Sequence, residues 1–162
     1  FEKVAHAALE AAIQPSAPSA PGSAGRLPNG LSETETLILA SIVEREAKVE
    51  SERPIIARVF LNRLELLMPL QSCATVQYIL PAPKERLLNE DLLTESPYNT
   101  YLVTGLPPGP ICNPGLASIQ AAADPEPGDY LYFVASHDGS HAFTRTYREH
   151  VQAKARINRE AR

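Results

Sequence analysis

The fold is organised around one stretch, Leu37-Ile-Leu-Ala-Ser-Ile-Val-Glu-Arg-Glu46. On a helix, a single apolar stripe with i, i+3, i+4, i+7 and i+10 spacing is formed by Leu39, Ile42, Val43, Glu46 and Val49. A carboxyl group therefore falls within the face that is predicted to be buried. Because burial disfavours the charged form of a carboxyl group, Glu46 is either a usable proton donor or a side chain held by hydrogen bonds at the helix end.

A second carboxyl group, that of Glu44, lies two residues back and roughly 200° around the helix at 3.6 residues per turn. It falls on a weaker stripe with Leu37, Ala40 and Ser41. We expect Glu44 to support the site as part of its lining and Glu46 to carry the proton.

Length and composition place the chain among soluble globular proteins. Its 162 residues suit one domain, and 44% hydrophobic and 21% charged residues are ordinary values. A net charge of -4 argues against nucleic-acid binding as the main function. No apolar run reaches transmembrane length and no signal peptide is visible. Because the chain begins at Phe1 rather than Met, we expect a fragment of a longer protein.

The first 30 residues differ in composition from the rest. Residues 1–14 read as an Ala-rich helix, and residues 15–30 as a Pro/Ala/Ser-rich linker that cannot form a packed core. Ser32-Glu-Thr-Glu35 is a capping box that starts the Glu46 helix. The sequence therefore predicts two regions, residues 1–30 and a folded domain over 31–162.

The remaining pattern predicts an α+β fold, mostly helical with one small β-hairpin. A second helix begins near Ser51 with Pro54 in its first turn, and a short helix follows over 75–80. Asn113 can cap a helix that runs to about Ala123. The later elements are a strand over 130–135, a turn over 137–140, a returning strand over 142–145, and a capping box over 146–149 that opens a C-terminal helix.

Two stiff loops, residues 96–101 and 105–115, are rich in Pro and Gly. Loops held by a rigid scaffold often carry binding residues. Tyr98, Asn99 and Tyr101 offer flat faces and an amide, which suit a sugar, although turn chemistry with half-buried tyrosines explains the same residues.

Other catalytic and metal-binding patterns are weaker. Ser136, His137 and Asp138 are consecutive, so they cannot converge as a triad. The four His and two Cys show no metal-ligand spacing. Cys73 or Cys112 could act as a nucleophile with His141 or His150, but two buried thiols or one disulfide are favoured, because nothing near either Cys marks a reactive thiolate.

Several blocks together resemble the endolytic murein transglycosylase (MltG, YceG-like) family. They are Ala40-Ser-Ile-Val-Glu-Arg-Glu46, Val59-Phe-Leu-Asn-Arg63, Met68-Pro-Leu-Gln71, Ser96-Pro-Tyr-Asn-Thr-Tyr101, Gly105-Leu-Pro-Pro-Gly-Pro-Ile111, Asn113-Pro-Gly115 and Tyr130-Leu-Tyr-Phe-Val134. The resemblance covers residues 31–151. One departure is Cys73-Ala74, where family members often carry Asp-Pro or Asp-Ala.

The resemblance implies a lysozyme-like catalytic domain that cleaves peptidoglycan glycan strands internally and leaves 1,6-anhydro-muramyl ends. The family's catalytic glutamate aligns with Glu46, the residue that helical phase also selects. The residues expected to contact substrate are Gln71, Tyr98, Asn99, Tyr101, Asn113 and Glu44. No cofactor and no metal are expected. The parent protein would be membrane-anchored on the extracytoplasmic face of the bacterial inner membrane, with peptidoglycan synthases as partners.

Two other function classes stay open on the sequence. One is a catalytically silent peptidoglycan-binding module, and the other is a Cys-dependent amide hydrolase that acts on the peptide stems. An extracytoplasmic location would also permit a disulfide between Cys73 and Cys112, which we predict would pin the Pro-rich loop against the Gln71 segment. The alternative is two small buried side chains that never meet.

Overall fold

The computed structural model describes residues 26–160, so the expectations for a helix over 1–14 and for most of the linker lie outside the described residues. The described elements are α1 (Glu33–Glu46), α2 (Arg53–Glu65), α3 (Cys73–Ile79), α4 (Leu116–Ala123), β1 (Tyr132–Ala135), β2 (His141–Thr144) and α5 (Tyr147–Glu160). Short 3-10 turns precede α2 at Glu50–Glu52 and follow α3 at Asp91–Leu93. The α+β class predicted from the sequence is confirmed.

Helix α1 begins as predicted. The Glu35 amide donates to the Ser32 hydroxyl at 3.2 Å, and the Ser32 amide donates to the Glu35 carboxylate at 2.8 Å, which closes the capping box. Leu39, Ile42 and Val43 are fully buried. The helix ends at Glu46, so Val49 lies beyond its end rather than on the stripe.

The second face of α1 is not the weak stripe that the sequence indicates. Ala40 and Ser41 are fully buried, because α4 packs against this face. The Ser41 hydroxyl accepts a hydrogen bond from the Ile111 amide at 3.0 Å, and the Ser41 carbonyl accepts one from the Cys112 thiol at 3.2 Å. The second Pro/Gly loop is therefore fixed to α1.

The core is closed by α2 and the hairpin. Pro54 lies in the first turn of α2, where its missing amide hydrogen costs nothing, as predicted. Phe60 is buried and meets Phe133 of β1 edge to face, with ring centroids 5.6 Å apart. The two strands pair antiparallel, from Tyr132 opposite Thr144 to Ala135 opposite His141.

The predicted capping box at the start of α5 is confirmed. The Glu149 amide donates to the Thr146 hydroxyl at 3.3 Å, and the Thr146 amide donates to the Glu149 carboxylate at 3.1 Å. The helix then packs across both strands of the hairpin. This packing places one face of α5 beside β1.

Two helix starts differ from the prediction. Helix α3 begins at Cys73, two residues earlier than expected. Helix α4 begins at Leu116 with Gly115 at the cap position, and Asn113 is exposed rather than capping. The capping acceptor comes instead from α1, because the Glu44 carboxylate accepts the Gly115 amide at 3.2 Å.

The described end of the linker belongs to the folded part. Leu27 packs against the core. The side-chain amide of Asn29 donates to the Ala122 carbonyl at 2.8 Å and to the Thr36 hydroxyl at 3.1 Å. Contacts with the domain therefore begin before the expected boundary at Leu31. Across residues 26–160, none of the helices has the length and apolarity that crossing a bilayer demands.

Candidate active site

A cleft of about 600 Å³ opens beside the C-terminal end of α1. The residues that line it include Glu46, Met68, Gln71, Cys73, Tyr101, Arg63, Tyr132, Tyr147, His150 and Lys154. Among the described residues that line this cleft, Glu46 alone carries a carboxyl group. Its size and depth suit one or two sugar rings.

The Glu46 side chain is half-buried and held by one of its two oxygens. Oε1 accepts a hydrogen bond from the Ser72 hydroxyl at 2.5 Å and a longer one from the Ala74 amide at 3.5 Å. Oε2 makes no hydrogen bond with any residue that the structure describes. Since Oε1 is occupied by donors, Oε2 is the oxygen that is free to carry a proton toward a ligand.

Ser72 is itself fixed by a buried network. Its side chain is only 2% exposed, and its amide donates to the Thr100 hydroxyl at 3.0 Å. The Thr75 hydroxyl lies 2.9 Å from the Thr100 hydroxyl and donates to the Ser72 carbonyl at 2.8 Å. Ser72 is the N-cap residue of α3, but its hydroxyl donates to Glu46 and makes no capping hydrogen bond with that helix. The network therefore orients the carboxyl group.

Gln71 precedes Ser72 in a strained backbone conformation. Its φ is 52°, in the left-handed region that residues other than Gly seldom adopt. The backbone amide of Gln71 donates to the Thr100 carbonyl at 2.9 Å, which holds this conformation. The side chain is exposed in the cleft, where its amide can bind a ligand.

Tyr101 supplies a phenol to the same cleft. Its hydroxyl lies 3.1 Å from the Cys73 sulfur. Burial is the main reason that the pKa of Tyr101 is raised above its usual range, and the neighbouring Cys73 and Glu46 raise it further. The phenol therefore stays neutral and is able to donate a hydrogen bond.

Arg63 also lines the cleft. Its Nε donates to the Leu131 carbonyl at 2.7 Å, and one terminal nitrogen donates to the carbonyls of Pro69 and Leu70 at 3.1 and 3.0 Å. The guanidinium also stacks over the Tyr132 ring, 5.1 Å from its centroid. It joins β1 to the loop that leads to Gln71.

One face of α5 completes the cleft with Tyr147, His150 and Lys154. The His150 ring stacks on Tyr132 with centroids 5.5 Å apart. Burial, with added repulsion from Lys154 and Arg63, lowers the pKa of His150, so the imidazole is neutral at pH 7. Tyr147 and Lys154 were not among the sequence candidates, and His150 was considered only as a partner of a Cys nucleophile, although their i, i+3, i+7 spacing on one helix face was a readable signal.

Two of the residues expected to bind sugar lie elsewhere. Asn99 is fully buried, and its side chain serves backbone groups of Leu92, Thr94 and Tyr101 at 2.8–3.0 Å. Its prediction as a ligand contact is therefore wrong, and the reading as turn chemistry is right. Tyr98 packs against the core, and its hydroxyl lies so close to Gly109 that a Cβ there would come within 2.9 Å.

Glu44 and Asn113 also do not line the cleft. Glu44 accepts the Ser118 hydroxyl at 2.6 Å and the Gly115 amide at 3.2 Å, at the start of α4. The Ser118 hydrogen bond is the main reason that the pKa of Glu44 is lowered. Glu44 is thus an ionised structural carboxylate. Asn113 is exposed on the neighbouring loop.

The predicted disulfide is not formed. Both cysteines are free, because the Cys73 sulfur contacts Tyr101 and the Cys112 thiol is taken up by the Ser41 carbonyl. Burial raises the pKa of Cys112, which makes it a poor nucleophile. Within the described part of the chain, no cluster of three His, Cys, Asp or Glu could hold a metal ion.

The fold and the cleft define an α+β domain with a single oriented carboxyl group in a partly aromatic groove. The chain belongs to the YceG-like family, whose family model matches residues 2–156. This confirms the resemblance read from the sequence.

Two proteins of similar sequence carry the name endolytic murein transglycosylase. The chain is 48% identical over 126 residues to an endolytic murein transglycosylase of Bacillus subtilis (strain 168), covering 78% of this chain and 35% of that protein. It is 40% identical over 110 residues to an endolytic murein transglycosylase of Streptococcus pneumoniae serotype 2 (strain D39), covering 65% of this chain and 20% of that protein. The chain thus spans about a third or less of these relatives.

A solved structure shares the fold. A crystal structure of a YceG-like protein from Listeria monocytogenes superposes with a TM-score of 0.73 at 45% sequence identity. The match covers 76% of this chain and 40% of that chain.

Proposed function

We propose that this chain is the catalytic domain of a lytic transglycosylase that cleaves peptidoglycan glycan strands internally, with Glu46 as its one acid and base. The names of the relatives support the substrate and the reaction class. The observation that carries the mechanism is that Glu46 is the sole carboxyl group on the described lining of the cleft.

A single carboxyl group is enough for this reaction but not for an ordinary glycosidase. Glycoside hydrolysis normally uses two carboxyl groups, about 5 Å apart or far enough apart to admit a water. In a lytic transglycosylase the C6 hydroxyl of the muramyl sugar is the nucleophile, and the intramolecular attack has a high effective molarity. Neither a second carboxylate nor a water is needed.

The proton transfers follow from the two oxygens of Glu46. Protonated Oε2 gives its proton to the glycosidic oxygen as the bond from the muramyl anomeric carbon to that oxygen breaks, and N-acetylglucosamine departs with a new hydroxyl. The C6 oxygen then bonds to the anomeric carbon and returns its proton to Oε2. The product carries a 1,6-anhydro end, and Glu46 is protonated again without water.

The surrounding groups would hold the sugar and the acid in place. Ser72 keeps Oε1 occupied, so that the proton resides on Oε2. Gln71 and Tyr101 stand beside Glu46 and supply an amide and a neutral phenol for the ring hydroxyls and the N-acetyl group. This arrangement supports their assignment as substrate contacts. No cofactor takes part.

We also propose a lysozyme-like fold for the domain and an extracytoplasmic setting for the parent protein, anchored in the inner membrane and working beside peptidoglycan synthases. A glutamate at the C-terminal end of a buried helix, facing a cleft next to a hairpin, supports the first proposal. The cell-wall substrate named for the relatives supports the second.

The two alternative classes have less support. A silent binding module would not require a serine that is fixed by two buried threonines to orient a carboxyl group. A Cys-dependent amide hydrolase needs an imidazole on its thiol, whereas Cys73 contacts a phenol. His141 is bound instead to Glu52 at 2.7 Å.

Digestion of purified peptidoglycan separates the three classes. The chain is incubated with strands that carry stem peptides, and the soluble products are analysed by mass spectrometry. A transglycosylase releases shortened glycans with their peptides attached. Freed peptides would identify an amide hydrolase, and bound but uncut strands would identify a binding module.

A further inference from the structure

The cleft is more cationic than the chain that contains it. The whole chain has a net charge of -4, with 15 Lys and Arg against 19 Asp and Glu. The described cleft lining holds Arg63 and Lys154 against Glu46, which is +1 with Glu46 ionised and +2 with Glu46 protonated. His150 lines the same cleft. We call Arg63, His150 and Lys154 the basic wall.

The charges of the basic wall have no anionic partner within residues 26–160. The Arg63 hydrogen bonds all go to neutral carbonyls, and Lys154 is in no ion pair. Lys84, by contrast, pairs with the Asp91 carboxylate at 2.6 Å. A buried cation without a counter-ion, such as Arg63, is costly, and the charges of Arg63 and Lys154 in one cleft repel each other.

The basic wall also has an unused polar atom. Nδ1 of His150 is buried and has no hydrogen-bond partner in the described structure. Buried polar atoms are normally paired, so this residue of the cleft lining keeps an unsatisfied hydrogen-bonding atom. Tyr147 to Lys154 extends about 10 Å along the cleft at 1.5 Å per residue, which exceeds the reach of a single ring.

We propose that the basic wall is a subsite for a carboxylate of the stem peptide, so that the cleft selects glycan strands that carry peptides. This rests on the proposed function and names the substrate more closely. The sugars of the strand are neutral, and the lactyl carboxyl of a substituted muramyl residue is consumed in an amide. The nearest anions on such a strand are therefore the carboxylates of its peptide. Lys154 binds this carboxylate, while Tyr132 and Tyr147 pack against the adjoining chain.

Lys154 is the residue to substitute, because Arg63 also holds backbone carbonyls and its loss would perturb the fold. Lys154→Gln removes the charge and keeps most of the length, and Lys154→Arg restores the charge. Arg156→Gln is the matched control, because Arg156 lies on the same helix but lines a separate groove against β2. Each variant is assayed on strands with stem peptides and on strands of equal length stripped by an amidase.

We expect Lys154→Gln to raise KM about tenfold on peptide-bearing strands, the size of one charge-assisted contact, with kcat unchanged. Lys154→Arg and Arg156→Gln should match the unmodified chain. On stripped strands Lys154→Gln should have no effect. Equal losses on both substrates, a loss on stripped strands alone, which expose free lactyl carboxylates, or no loss on either would overturn the proposal.

Binding measurements separate this proposal from the proposed function. In a Glu46→Gln background the Kd for peptide-bearing strands is measured with and without Lys154→Gln. A tenfold weaker Kd supports the subsite even if the unmodified chain cuts neither substrate, in which case only the proposed function fails. An unchanged Kd overturns the subsite even if cleavage is observed.

Discussion

Glu44 and Glu46 are two residues apart on one helix, and their surroundings give them different chemistry. Glu44 accepts two hydrogen bonds at the start of α4, the stronger from Ser118, which favour its ionised form. Glu46 turns one oxygen to Ser72 and leaves the other to the cleft. The environment of a carboxyl group sets its chemistry, as it does in enzymes that carry two nearby acids.

Glu46→Gln should abolish glycan cleavage, by at least about a thousandfold, because it removes the proton donor without changing the shape of the side chain. Glu44→Gln is the matched control and should keep activity within about threefold of the unmodified chain. Cleavage rates on purified strands give the comparison. An inactive Glu44→Gln beside an active Glu46→Gln would reverse the assignment.

Ser72→Ala tests how the acid is oriented. It removes the hydroxyl that donates to Oε1, so kcat should fall about tenfold, the size of one hydrogen bond to a charged group, while KM stays nearly constant. Steady-state rates measure both constants. Ser51→Ala, at an exposed serine, is the control. A rise in KM with normal kcat would show that Ser72 binds substrate instead.

At the scale of elements, polar side chains join segments that are distant in the sequence. Glu44 links α1 to the start of α4, and Arg63 links α2 to both β1 and the loop at residues 68–71. These contacts position the walls of the cleft. The contribution of each contact can be tested by measuring the free energy of unfolding, without an activity assay.

The Glu44 contact should make stability depend on pH. Its pKa is lowered in the fold from the ordinary value of 4.5, so its contribution is fully present above pH 4.5 and is lost as the pH falls below it. Urea unfolding should show Glu44→Gln to be less stable than the unmodified chain at pH 7, with the gap narrowing toward pH 3. A gap that is constant or widens in acid would contradict this role.

Arg63→Lys should lower the free energy of unfolding by about 2 kcal/mol, because one ammonium group cannot reach the three carbonyls that the guanidinium serves and some are left buried without a donor. Arg58→Lys is the control, since Arg58 makes a single exposed hydrogen bond to the Glu126 carbonyl. Equal stability of both variants would show that the fork of hydrogen bonds is unimportant.

For the molecule as a whole, the sequence predicted what depends on neighbours in the chain. The capping boxes at Ser32 and Thr146 are local patterns, and the structure forms both. Helical phase selected Glu46 for the same reason. The sequence did not reveal the role of Asn99, because an Asn in a loop can bond to the backbone or to a ligand. Only its burial in the fold distinguishes the two roles.

What the sequence missed depends on how elements pack. Lys154 lies more than a hundred residues from Glu46, and the two share a cleft only because α5 crosses the hairpin. The two cysteines lie in different motifs, and neither contacts the other: the Cys73 sulfur contacts Tyr101 and the Cys112 thiol donates to the Ser41 carbonyl. The spacing of Tyr147, His150 and Lys154 shows that they share one helix face, but no pattern in the sequence shows which cleft that face meets or where each thiol lies.

The most direct test of the account is cleavage of glycan strands in water enriched in ¹⁸O, with mass spectrometry of the new muramyl ends. If Glu46 acts alone and the C6 hydroxyl is the nucleophile, the ends are 1,6-anhydro sugars that contain no ¹⁸O. Ends that are heavier by one labelled water would mean that water attacks the anomeric carbon, and the single-acid mechanism would be wrong.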